Sequence, residues 1–337
     1  MTRYIVRRLI SIPLLLLGIV SIAFFISHTT QGDPLISIIG DRQMDNPDAV
    51  AAAKARWGLD KSLPEQYVTY LQNLATGDLG TSFRTKQPVA TDLLTRLPAT
   101  LELVIAAMLI GSIAGIVLGI LAARFRDTVI DHLARLAALA GSSTPVFWSG
   151  LILLYIFSVV LGWLPGPGRF DARAIAPQSI TGFLTIDALL TGDIRGFGQA
   201  VYHLVLPATV LGWTVMGIVS RLVRASMLDV LSQDYIVAAR ARGAGELRVL
   251  LNHALRNALV PTLTILGFTF AYLITGAVLT ETIFAWPGIG SYAVDATRNL
   301  DYPAIIGVTI VGGSAFLISN LMTDIAYAFA DPRLRLS

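Results

Sequence analysis

The 337-residue sequence contains no cysteine, which excludes disulfides, thiolate metal sites and thiol nucleophiles while leaving the redox compartment open. It is also poor in charge. Lys, Arg, Asp and Glu make up only 14% of the chain, against about 25% in an average soluble domain, and 54% is hydrophobic, so composition alone specifies a membrane protein. Lysine is scarcer still: none of Lys54, Lys61 and Lys86 closes a G-x-x-x-x-G-K-[ST] phosphate loop, so the chain is not a conventional P-loop ATPase by itself. There is no H-E-x-x-H and no G-x-S-x-G, and His28, His132, His203 and His253 are scattered over span ends and loops without metal-ligand spacing. They read as interfacial residues, and an intramembrane enzyme is poorly supported. A proton-coupled secondary carrier is the better alternative, but it calls for ionisable residues near helix centres, and the apolar runs are almost clear of charge except toward their ends. The net charge of +3 in such a chain reads as cations sorted to the cytoplasmic side, not as a nucleic-acid surface.

Runs of about 20 apolar residues, enough to cross roughly 30 Å of hydrocarbon, occur near 9–28, 100–123, 137–162, 202–222, 259–280 and 304–328. They predict an all-α polytopic membrane protein with six transmembrane helices. Arg3, Arg7 and Arg8 ahead of the first run imitate a secretory leader, but the stretch from Leu9 to Ile26 is long for one and no small-residue cleavage site follows, so it reads as a retained span. Arginine then sets the orientation. Arg124, Arg126 and Arg135 lie between runs two and three, six arginines from Arg221 to Arg256 lie between four and five, and Arg333 and Arg335 follow six. The short loop after run five holds only Arg298, so both termini are expected in the cytoplasm.

The chain divides into 1–99, one span plus an extracytoplasmic loop region, and 100–337, a five-span core with a cytoplasmic loop at about 223–258. The first outer segment has turn-rich stretches at Gly32-Asp33-Pro34 and Gly77-Asp78 with one amphipathic helix expected between them; the second, 163–201, has Pro165-Gly166-Pro167-Gly168 and then a weakly helical stretch. Neither is apolar enough for a core of its own.

In the second run Ala107, Gly111, Gly115, Gly119 and Ala123 recur every four residues, a small face that admits a close neighbouring backbone. Helix packing is the first reading and a path lining the second. Asp324 sits in the last run near its cytoplasmic end, where a carboxylate reaches water or a partner arginine.

The loop from Asp234 to Asn257 predicts two short helices: Ser232 or Asp234 caps the first, Gly243 and Gly245 end it, and the second runs from Glu246 toward Pro261. The first presents Tyr235, Ala238, Ala239 and Arg242 on one side; the second is basic and amphipathic. On spacing alone, docking in a groove and lying on anionic headgroups stand level. In the segment from Glu281 to Tyr302, Pro287-Gly288-Ile289-Gly290 reads first as a turn with special backbone angles.

The Ala238-Ala239 pair followed by Gly243 resembles the coupling-loop pattern of permeases from binding-protein-dependent ABC importers, with Val237 where that pattern has glutamate. Agreement extends along almost the whole chain: Gly32-Asp33-Pro34, Trp57-Gly58-Leu59-Asp60, Gly77-Asp78-Leu79-Gly80-Thr81-Ser82, Leu97-Pro98-Ala99-Thr100-Leu101-Glu102-Leu103, Glu281-Thr282-Ile283-Phe284, Trp286-Pro287-Gly288-Ile289-Gly290 and Asp331-Pro332-Arg333. Their order resembles the first, B-type permease of the dipeptide and oligopeptide branch. The resemblance implies a type I ABC importer permease in a prokaryotic inner membrane, non-catalytic itself, forming half of a path for peptides, or in the same machinery for nickel complexes, glutathione or another small solute. It implies a homologous second permease, two ABC ATPase subunits that use ATP and Mg, an extracytoplasmic binding protein and membrane lipid as partners, with no cofactor or metal on this chain and no nucleic acid. It assigns ATPase coupling to Asp234, Tyr235, Ala238, Ala239, Arg242, Gly243 and Glu246, within a helix near 233–246, and an outer gate or binding-protein contact to Glu281, Phe284, Trp286, Pro287 and Gly288.

Overall fold

A computed structural model describes the backbone of residues 2–29 and 33–330 and the side chains of 10–28, 33–36 and 38–323. Gly32, the Asp331-Pro332-Arg333 run, Arg335 and the side chains of Arg3, Arg7, Arg8 and Asp324 lie outside the described residues. Among those described there is no strand, only an isolated bridge between Thr81 and Pro88.

Helix α1 (Thr2–Thr29) leads into a cap of α2 (Leu35–Ile39), α3 (Pro47–Trp57) and α4 (Leu63–Ala75). The bundle follows as α5 (Val89–Arg124), α6 (Val129–Ser143), α7 (Val146–Leu154) with a π-helical continuation Tyr155–Val160, α8 (Leu184–Leu190) and α9 (Ile194–Leu231). Then come α10 (Asp234–Ala241), α11 (Glu246–Arg248), a π-helical stretch Val249–Leu255, α12 (Arg256–Ala258), α13 (Val260–Gly276), α14 (Val278–Ile283), α15 (Ile289–Arg298) and α16 (Tyr302–Ala330). Helices α1, α5, α9 and α16 are each long and apolar enough to cross a membrane, and up to six crossings result if two bent pairs count as one each. Those pairs are α6 with α7 and its continuation, bent by 105°, and 246–258 with α13, bent by 56°.

The third apolar run is therefore not one straight helix. It breaks at Thr144, whose ψ of 130° is extended, because the ring of Pro145 disfavours helical geometry in the residue before it. The outer cap differs from expectation too, holding two substantial helices instead of one. Asn46 caps α3 by accepting from the N–H groups of Asp48 and Ala49, Gly58 ends it in the left-handed region at φ +67°, and Ser62 with Glu65 forms a reciprocal capping box for α4. Tyr67, Tyr70, Leu71 and Leu74 of α4 pack on Val20 and Phe24 of α1 and Ile306 of α16, so the cap borrows the core of the bundle.

The centre of the bundle is α5 against α9. The face formed by Ala107, Gly111, Gly115, Gly119 and Ala123 is buried, and α9 fills it. A Cβ on Gly115 would lie 2.8 Å from Val219 Cβ, one on Gly119 2.7 Å from Val223 Cβ, and one on Gly111 would collide with the Gly212 carbonyl. Because 111 faces 215, 115 faces 219 and 119 faces 223, the two helices run parallel, with α6 and α7 as the return between them. Helix α16 runs antiparallel to both α1 and α13: Gly313 meets Ile19 while Ile306 meets Phe24, and Gly267 meets Thr323 while Gly312 meets Thr275.

Candidate functional site: an exposed loop and a locked hairpin

At one end of the bundle, here the loop end, α10 starts after Gln233 with no side-chain cap. The expected cap does not form: the Ser232 hydroxyl donates to the Asp229 carbonyl at 2.7 Å, and Asp234 is already the first helical residue. Gly243 ends the helix at φ +81°, a conformation that strains other residues, and its N–H donates to the Arg240 carbonyl at 2.9 Å. Ile236 is fully buried in one cluster with Val249, Leu250, Ala254 and Ala258, and this single apolar anchor sets how α10 faces outward. Tyr235, Val237, Arg242 and Gly243 are exposed, while Ala238 and Ala239 are half-buried between them. The Arg240 guanidinium donates to Glu246 at 2.9 Å across the bend, and the Asn257 amide donates to the Tyr235 hydroxyl at 2.8 Å. Leu247 and Leu251, which pattern reading did not single out, extend the exposed apolar surface beside α10.

Just inside this end, buried Asp131 of α6 accepts two hydrogen bonds of 2.7 Å from Arg224 of α9, with Arg135 at 3.3 Å. A buried carboxylate needs such pairing to be tolerated. The bidentate geometry fixes the last turns of α9 against α6 just ahead of the loop.

The opposite, hairpin end is closed. Glu281, Phe284, Trp286 and Gly288 are buried, and only Ala285 and Pro287 stand out at the tip. The Thr100 hydroxyl donates to Glu281 Oε1 at 2.6 Å and accepts from the Ile289 N–H at 2.8 Å; the Ser291 N–H donates to Glu281 Oε2 at 2.8 Å. Trp286 Nε1 donates to the Ala99 carbonyl at 2.8 Å. A Cβ on Gly290 would sit 2.7 Å from Val278 Cα, and one on Gly288 would overlap the Glu281 carboxylate, so both glycines are there for close approach. Burial pushes the Glu281 carboxyl up, opposed by the Thr100 hydroxyl and the Ser291 N–H. Beside it Arg169 pairs with Glu102 at 2.6 Å and lies 5.8 Å over the Trp286 ring, while Thr185 donates to Glu102 from its N–H and hydroxyl.

In this conformation Glu281 and Trp286 thus hold the hairpin to α5 through Thr100 and Ala99, Phe284 and Gly288 are buried, and Pro287 stays exposed. Their partners Ala99 and Thr100 belong to the Leu97–Leu103 stretch, to which the sequence reading assigns no role. Ser82 was similar: its hydroxyl and the N–H groups of Phe83 and Arg84 converge on buried Asp301 ahead of α16. Among the described residues, no three His, Asp or Glu side chains gather as a metal site.

An exposed loop thus lies at one end of an apolar bundle and a buried hairpin at the other. The family described as binding-protein-dependent transport system inner membrane component matches residues 115–336, and its companion N-terminal family matches 1–104. This chain belongs to that family. As an inner membrane component, it is similar to the di/tripeptide transport system permease protein DppB of Pseudomonas aeruginosa, 44% identical over 99% of both chains. It is 44% identical to the probable D,D-dipeptide transport system permease protein DdpB of Escherichia coli over 97% of this chain and 96% of that one. With the oligopeptide transport system permease protein AppB of Bacillus subtilis it shares 38% identity over 99% of both.

Proposed function

We propose that this permease forms half of the translocation path of an ATP-driven importer of short peptides. The observation that carries the reading is α10: a short helix whose one fully buried residue is Ile236, with Tyr235, Val237 and Arg240 exposed and Ala238 and Ala239 half-buried, following directly on α9. An element built this way has surface free for a partner. In the proposed assembly the partner is one of two ABC ATPase subunits, which hold the ATP and Mg, and Asp234, Tyr235, Ala238, Ala239, Arg242, Gly243 and Glu246 form the contact. The names of the relatives support peptides as the cargo. A homologous second permease completes the path, and an extracytoplasmic binding protein delivers the peptide.

The alternating helix directions support six crossings, with each bent pair counted as one and both termini on the same side, and the arginines at the loop end make that side cytoplasmic and the hairpin end outer. Residues 1–99 make the added span and cap, and 100–337 the five-span core. Closure of the ATPases shifts the bundle between inward-open and outward-open states through contacts that differ between the two. The hairpin from Glu281 to Gly288 is the outer gate in its closed form. Proteoliposomes holding the full complex test the function: uptake of a labelled dipeptide is expected to require both ATP and the binding protein. Uptake that continues without ATP, driven by a proton gradient, would overturn it.

A further inference from the structure

Residues 164–185, here the strap, join the π-helical stretch after α7 to the start of α8 and touch the hairpin and α5 at once. The Gly168 N–H donates to the Phe284 carbonyl at 2.8 Å, Leu164 packs in the cluster that buries Phe284, and the Arg169 guanidinium lies over the Trp286 ring. On the α5 side, Arg169 donates to Glu102 Oε2 through Nε at 3.0 Å and Nη2 at 2.6 Å. Thr185 donates to Glu102 Oε1 through its N–H at 2.8 Å and its hydroxyl at 2.6 Å. Arg169 Nη2 also reaches the Gly182 carbonyl at 2.8 Å, and Gly182 lies so close to α5 that a Cβ would sit 2.8 Å from Pro98 Cγ. The hairpin is therefore held from two sides, by Ala99 and Thr100 of α5 and by the strap. One buried carboxylate, Glu102, ties the strap to α5, its side chain 5% exposed against 16% for Arg169. A buried ion pair adds little net stability over apolar packing of similar volume, so stability alone is a weak reason for charge at this joint. What it adds is an all-or-none character. With four bonds converging on one carboxylate, withdrawing Arg169 leaves a buried charge unpaired, and a half-open joint is unfavourable.

Resting on the importer reading above, we infer that Glu102 is the clasp of the outer gate: the strap and the hairpin leave α5 together, as one body, when Arg169 and Thr185 release this carboxylate. Glu102 touches no substrate and acts as a positioning residue. Helix α9 connects the clasp to the loop end. The strap leads through α8 and the Asp193 cap into α9, which runs unbroken from Ile194 to Leu231, about 57 Å, and α10 begins three residues later at Asp234. A push on α10 thus reaches the strap along a single helix.

The absence of native cysteine makes the test direct. Spin labels on the pair Leu94→Cys with Ile175→Cys report the distance from strap to α5, and on Leu94→Cys with Pro287→Cys the distance from hairpin to α5; all three native side chains are exposed. Both distances are measured by pulsed electron resonance in the full complex, with and without ATP and vanadate, and they should lengthen in the same nucleotide state. The Glu102→Gln variant keeps the shape and removes the charge, so it should populate both long distances without nucleotide. It should also hydrolyse ATP without the binding protein at least about fivefold faster than the unsubstituted complex, with less uptake per ATP, whereas a merely structural defect lowers hydrolysis and uptake alike. If Glu102→Gln fails to assemble, Arg169→Lys, which keeps the charge and loses the paired bonds, carries the same expectations. A hairpin distance that lengthens while the strap distance stays fixed would overturn the inference, as would a clasp variant with unchanged distances and ATP use. If the complex takes up no dipeptide but both distances still lengthen together in the clasp variant, the importer reading fails and the clasp stands.

Discussion

At the hairpin end Glu281, Phe284 and Trp286 are buried, and Glu281 and Trp286 are tied to Thr100 and Ala99; at the loop end α10 buries only Ile236 and leaves Tyr235, Val237 and Arg242 in the open. Both elements are short helices ended by turns, so local structure does not separate them. What does is how many polar groups and apolar surfaces each satisfies within the chain. A hairpin whose carboxylate, indole and glycines all have internal partners resists displacement. A loop with one buried anchor and exposed surface has contacts to offer.

Substitutions that act at one end only sharpen this contrast. Trp286→Ala should have the largest effect on stability, about 3–5 kcal/mol as for other buried aromatic truncations, seen as a lower melting temperature in detergent. An equal loss from a substitution in α10 would break the comparison. Gly243→Glu should cost no more than about 1–3 kcal/mol, because it strains one left-handed residue in open space. It should nevertheless abolish ATPase co-purification and uptake, and Ala239→Arg should do the same; normal association in both would remove the docking role from α10.

Acid should loosen the segment around Asp187. Burial raises the Asp187 carboxyl, but hydrogen bonds from Thr181 and Gly182 outweigh it and hold it below the ordinary carboxylate range. A carboxylate depressed in the folded state stabilises above its unfolded value and loses that contribution as pH falls through the folded one. Hydrogen exchange over 181–191 should therefore rise below about pH 4 while α10 stays unchanged. The smallest effect belongs to Arg240→Ala, which removes an exposed ion pair and should change stability by under about 1 kcal/mol.

The long apolar runs were legible because about 20 consecutive apolar residues have few other uses. The small face of α5 was legible as well, since small residues at a spacing of four share one helical face and admit a close neighbouring backbone. The break at Thr144 had a signal in Pro145 that the continuous apolar pattern around it concealed. Ile236 had none: one isoleucine in an exposed helix gains meaning only when Val249 and Ala254 come back against it. The partners of Glu281 were equally hidden, because Thr100 lies 181 residues away and its hydroxyl carries no local pattern. Pairs of that separation are set by the bundle, and they decide whether a hairpin is held or free.

A photo-crosslink tests the central claim most directly. A single cysteine introduced at Ala239 in this cysteine-free chain, carrying a benzophenone maleimide, is irradiated in the intact complex. The account calls for a covalent adduct to an ATPase subunit, with a yield that changes between the ATP-bound and nucleotide-free states. Adducts to lipid alone, unchanged by nucleotide, would contradict it.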